Sequence, residues 1–150
     1  MKKLFVLVLM GVSLLTTSCF TTTEIDVIYT IAPSLVSYSF SGSSSSAAQQ
    51  AADYANALIL DFKSQYGQEW ISTYKNQSMY KRQEKEAVEK YEEALEKFQA
   101  IHDDFVAKYK GNASDGSQFE SVYELRLMRM EPSKGSETVR SSEEVSFVFE

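Results

Sequence analysis

The stretch EIDVIYTIAPSLVSYSF, residues 24–40, decides the fold. Ile25, Val27, Tyr29 and Ile31 alternate with Glu24, Asp26 and Thr30, the two-residue period of a strand with one face buried and the other wet. Beyond Ala32-Pro33 the apolar set moves to even positions, Val36, Tyr38 and Phe40. A change of parity would turn half of the strand inside out unless one extra residue is inserted, and Pro is tolerated at bulges and edges. The segment reads as one long strand, bulged at Pro33.

Moving outward, SGSSSS (41–46) is a flexible turn, and Ser46 with Gln49 forms a capping-box pattern that starts a helix at Ala47. Ala51, Ala55, Leu58, Phe62 and Tyr66 recur at three and four, Ile59 widens the stripe, and Gly67 fits a helix C-cap. QEWISTYKNQ (68–77) is rich in strand formers, yet Trp70, Ile71 and Tyr74 also fit a helical face, and the segment reads as a helical continuation or turn. From Ser78 to Lys110 the periodicity is clearest. Ala87, Tyr91, Ala94, Phe98, Ile101 and Phe105 form its stripe, with Val88, Leu95, His102, Val106 and Tyr109 alongside. Glu86 precedes Lys90, and Glu93 precedes Lys97, by the favourable four residues. Lys108 and Lys110 suit the negative end of the dipole, and Gly111 stops a helix of about 48 Å.

After the loop GNASDGS (111–117), QFESVYELRLMRM (118–130) reads as a strand with core face Phe119, Tyr123, Leu125 and Leu127. EPSKGS (131–136) has the Pro and Gly of a hairpin connection, and residues 137–149 end in Val145, Phe147, Val148 and Phe149. Thirteen strand residues cover about 43 Å, close to the helix length. The expected fold is α+β in the order β-α-α-β-β, a three-stranded antiparallel sheet with two helices packed on one face, in a single domain over residues 24–150.

The first twenty residues, MKKLFVLVLMGVSLLTTSCF, follow other rules. Lys2 and Lys3 precede an apolar run from Leu4 to Leu15, then Thr16, Thr17 and Ser18 lead to Cys19. Twelve residues span about 18 Å as a helix, short of the ~30 Å hydrocarbon core, so this is the apolar region of a signal peptide rather than a membrane span. The segment resembles the bacterial lipoprotein signal peptide. Its lipobox is Leu15-Thr16-Thr17-Ser18-Cys19, with the Leu one place further from the Cys than in the commonest form. The resemblance implies cleavage by signal peptidase II before Cys19, acyl chains on the Cys19 sulfur and amine, and, with Phe20 next, passage to the outer membrane. Residues 1–18 are then the signal and 19–23 a lipidated tether. Several acyl chains make attachment effectively permanent, at about 0.8 kcal/mol per buried CH₂.

The whole chain has 15 basic and 21 acidic residues, net −6. Losing Lys2 and Lys3 with residues 1–18 leaves 132 residues with 13 basic against 21 acidic, net −8. An anionic protein is repelled by anionic lipid, so the lipid on Cys19 must supply the membrane attachment. The tether Phe20–Thr23 reaches only about 15 Å, which holds the domain close to its membrane in the bacterial envelope. With a pI near 4.9 the chain has no excess positive charge to displace phosphate counterions, which argues against nucleic acid. One Cys and one His exclude a disulfide framework and any site built from several His or Cys ligands.

His102-Asp103-Asp104 is the only cluster with a catalytic look, but on a helix the three side chains diverge. Asn112, Ser114, Asp115 and Gly116 resemble a calcium loop in composition alone, without the alternating acids or the closing Glu. The phosphate-binding, nucleophile-elbow and metalloprotease motifs are missing as a set, and neither cofactor nor metal is expected. Trp70, Tyr74 and Tyr80, at the inter-helix joint, are the aromatics that core packing least accounts for, and they form the candidate binding surface. The reading is a non-enzymatic binding or accessory module, held to the membrane through Cys19, for an envelope protein or glycan. The alternatives are an enzyme using His102, or a structural lipoprotein that self-associates through its heptad-like helix.

Overall fold

The computed structural model describes residues 24–150, and the signal segment, Cys19 and the tether Phe20–Thr23 lie outside the described residues. Strand β1 (Ile25–Ser41) is followed by helix α1 (Ala47–Tyr66), strand β2 (Gln68–Tyr74), helix α2 (Gln77–Lys108), and the strands β3 (Gln118–Glu131) and β4 (Ser136–Phe149). All neighbours in the sheet are antiparallel, in the order β2-β1-β3-β4. The class is α+β as expected, but the sheet has four strands rather than three.

The extra strand is the segment read as helix or turn. Gln68–Tyr74 pairs with Ile31–Ile25, placing Trp70 opposite Tyr29 and Tyr74 opposite Ile25. Gly67 explains the abrupt change of structure. Its N–H donates to the Lys63 carbonyl at 3.0 Å, its backbone is extended (φ −65°, ψ 125°), and a Cβ added to it would lie 2.5 Å from that same oxygen. The glycine is therefore needed for close approach rather than for a left-handed turn, and the chain passes from helix into strand with no linker. Once the backbone is extended, the strand formers Trp70, Ile71, Thr73 and Tyr74 keep it so.

In β1, Val27, Tyr29 and Ile31 are fully buried. The bulge is real but lies at Val36. Pro33 stays in register opposite Leu125, and the shift falls between Leu35, opposite Tyr123, and Ser37, opposite Val122. Past the bulge, Tyr38 and Phe40 come back to the face that carries Leu35. Pro33 is accommodated because β2 has ended opposite Ile31, which makes this half of β1 an edge strand.

Both helices cover the Val27–Tyr29–Ile31 face. The hydroxyl of Ser46 caps α1 by accepting from Gln49 N–H at 3.3 Å, while the Gln49 carboxamide turns to Asp53 (2.9 Å), so only half of the capping box forms. The buried stripe of α1 is Ala48, Ala51, Ala52, Ala55, Ile59 and Phe62, and its four alanines let the helix backbone approach the sheet closely. Asn76 caps α2 by accepting from Met79 N–H at 3.0 Å, and Ala87, Tyr91, Ala94, Phe98 and Phe105 face inward. Phe62 meets Phe98 at 5.0 Å between the helices, and Phe105 meets Phe147 edge-on at 5.2 Å between helix and sheet. The buried Tyr91 hydroxyl donates to the Leu125 carbonyl at 3.0 Å, and burial raises its phenol to about 12.

Candidate functional site

Trp70, Tyr74 and Tyr80 are brought into one network at the joint between β2 and α2. Trp70 stacks on Tyr29 with ring centroids 5.4 Å apart, and the Lys90 ammonium sits 4.3 Å from its ring centre. Lys90 thus turns to the indole rather than to Glu86. Tyr74 and Tyr80 lie 5.1 Å apart, and the Arg129 guanidinium stands 5.0 Å from the Tyr80 ring. Trp70 is therefore engaged by Tyr29 and Lys90, and Tyr80 by Tyr74 and Arg129, within the fold itself.

Beneath them is a set of ionic groups. The Tyr29 hydroxyl donates to Glu84 Oε2 at 2.8 Å, the Arg140 Nε–H donates to Glu84 Oε1, and Arg129 Nε lies 3.9 Å from Glu84 Oε2. Arg129 also reaches Glu131 Oε2 at 3.4 Å, and Lys134 approaches the other Glu131 oxygen at 3.5 Å. The Arg129 and Glu131 side chains are 13% and 7% exposed, so these charges are largely removed from water and depend on one another. Burial, and then the hydrogen bond to Glu84, push the Tyr29 phenol far up. The network ties α2 to β1, β3 and β4. The sequence does carry a signal for it, because Arg129 and Glu131 continue the odd, inward parity of Phe119, Tyr123, Leu125 and Leu127.

The loop between α2 and β3 caps helix α1. Asp115 Oδ2 accepts from Ala47 N–H at 2.9 Å, Asp115 Oδ1 accepts from Ser117 N–H at 3.0 Å, and the Ser117 hydroxyl accepts from Ala48 N–H at 3.0 Å. The Ser117 hydroxyl, then the Ala47 and Ser117 amides, hold the Asp115 carboxyl down to about 2. The N-terminus of α1 thereby has its anion from within the chain. Among the described residues no group of three or more His, Cys, Asp and Glu is placed to hold a metal.

His102 Nδ1 lies 3.5 Å from Asp103 Oδ1 on the flank of α2, with Asp103 largely in solvent and the imidazole 6.1 Å from the Phe147 ring. Asp104 is exposed beside them. The pair forms a surface contact at the rim of the core.

The least satisfied surface of the molecule is the outer half of β1. β2 covers β1 only as far as Ile31, so from Ser34 to Ser41 one side of the strand has no neighbour among the described residues. Leu35, Val36 and Tyr38 are each about half exposed there (52%, 49% and 53%). No charged residue occurs from Val27 to Ala52, whereas β4, on the opposite edge, carries Glu137, Arg140, Glu143 and Glu144, and β2 carries Glu69. Sheet edges are normally guarded by charge, Pro or a bulge, and this one has only Pro33 and the bulge at its start. Sequence reasoning passed over the edge because its alternation looks like that of any half-buried strand, although the uncharged run was visible. Among the described residues no helix is long and apolar enough to cross a membrane. Compared with known protein families, with curated proteins and with solved structures, the chain matches none of them.

Proposed function

We propose that this chain is a lipid-anchored protein of the bacterial envelope that works by docking another protein onto the free edge of its sheet. The observation that carries the docking is the uncharged, half-exposed run Ser34–Ser41, whose unpaired amides and carbonyls offer a template for an added strand. The anchor rests on the lipobox ending at Cys19. A protein partner is favoured over a glycan because Trp70 is engaged by Tyr29 and Lys90.

Two measurements test the reading. Cys19→Ser should give an unprocessed or soluble protein on envelope fractionation, and unchanged membrane attachment would remove the anchor. Amide hydrogen exchange over residues 34–41 should be slower in native membranes than in dilute detergent, where the edge is free. Equal rates would remove the docking, and turnover of an envelope substrate that disappears with His102→Ala would replace it with an enzyme.

A further inference from the structure

We infer that the occupant of the β1 edge is a second copy of this chain, paired antiparallel along Ser34–Ser41 to join two four-stranded sheets into one of eight strands. The inference rests on reading that edge as a docking surface, and names its partner. Charge is the first argument. With 21 acids against 15 bases, two copies repel over most of their surfaces, and the outer half of β1 is where they can meet without like charges facing each other. A cationic partner would seek the acidic surface elsewhere, but the edge itself offers no charge for it to read.

Symmetry is the second argument. An antiparallel strand pair is related by a twofold axis perpendicular to the sheet, so an edge is complementary to its own copy, and both helical layers come to the same side. Leu35 and Tyr38 lie on the helix side of β1, opposite Tyr123 and Ser121. The pairing would bring the half-exposed Leu35 and Tyr38 of each copy toward the twofold axis, where they can cover one another. Pro33 and the Val36 bulge limit the register, and because each copy has one such edge the assembly closes as a dimer. The contact differs from an association through α2, which leaves the β1 edge open.

The test uses the full chain in its own membranes. Cys19 is the only native cysteine, and lipidation consumes its thiol, so Ser37→Cys or Ser39→Cys supplies the single reactive thiol. Ser142→Cys on β4 is the control, and the probe is a short bis-maleimide that bridges neighbouring strands whatever their register. The expected result is a self-dimer at least about tenfold more abundant for Ser37→Cys and Ser39→Cys than for Ser142→Cys, and lost when Leu35→Lys is added. Circular dichroism of the purified Leu35→Lys variant checks that the loss is not unfolding. A self-dimer that survives Leu35→Lys, or equal yields at all three positions, overturns the pairing. Adducts solely with a different protein overturn self-pairing while keeping the edge as a docking surface, and no adduct at Ser37 or Ser39 overturns both.

Discussion

Asp115 caps a helix that begins 68 residues earlier in the chain, accepting the Ala47 amide hydrogen while it holds Ser117 in place to accept the next. Its folded-state pKa of about 2 is below the unfolded value near 4, so its stabilisation is complete above about pH 4 and is lost as pH falls toward 2. Asp115→Asn should therefore lower the melting temperature at neutral pH and weaken its dependence on pH between about 4 and 2, as a series of thermal melts would show. The residues of this loop were legible as a loop. Their role was not legible, because a cap supplied from so far along the chain leaves no local spacing to detect. Arg129 shows the opposite case. Its position on the inward parity of β3 was on view in the sequence, but its partners Glu84 and Arg140 lie on elements whose juxtaposition only the fold supplies.

At the level of elements, the ionic network fixes α2 against three strands, and Glu84 is its shared acceptor. Glu84→Gln can keep a hydrogen bond from Tyr29 but leaves Arg129 without one of its two counter-charges. Arg140, at 39% exposed, is partly compensated by water, so the expected loss is about 2 kcal/mol, read from the urea midpoint. Helix boundaries were well marked by sequence. α2 was expected from Ser78 to Lys110 and spans Gln77–Lys108, and its apolar spacing from Ala87 to Phe105 continues through about five turns. β2 was missed because seven residues are too few for a period to assert itself over the competing helical spacing of Trp70, Ile71 and Tyr74. The bulge was expected from the right cause, a change of parity, and misplaced by three residues. Leu35 and Val36 are both apolar, so the pattern alone cannot say which is the extra one.

Across the whole molecule a single aromatic core joins both helices to the sheet. Phe105 is its hub, fully buried against Tyr54, Tyr109, Phe119 and Phe147. Phe105→Ala should cost about 4 kcal/mol, with one cooperative urea transition and an unchanged m-value, because no part of the domain has a core of its own. The sheet order also dictates when that core can form. β1 leaves the ribosome first, yet it pairs with β3, Ile28 with Met130 and Ser41 with Gln118, so its main partner is made on the order of a hundred residues later. Until β3 exists, the first strand has only seven-residue β2 to hold it, and the core face stays uncovered. A chain arranged in this way cannot close its core until β3 has been made. The same topology exposes the uncharged β1 segment throughout that interval, so a chain that stalls before β3 is made would be at its most aggregation-prone.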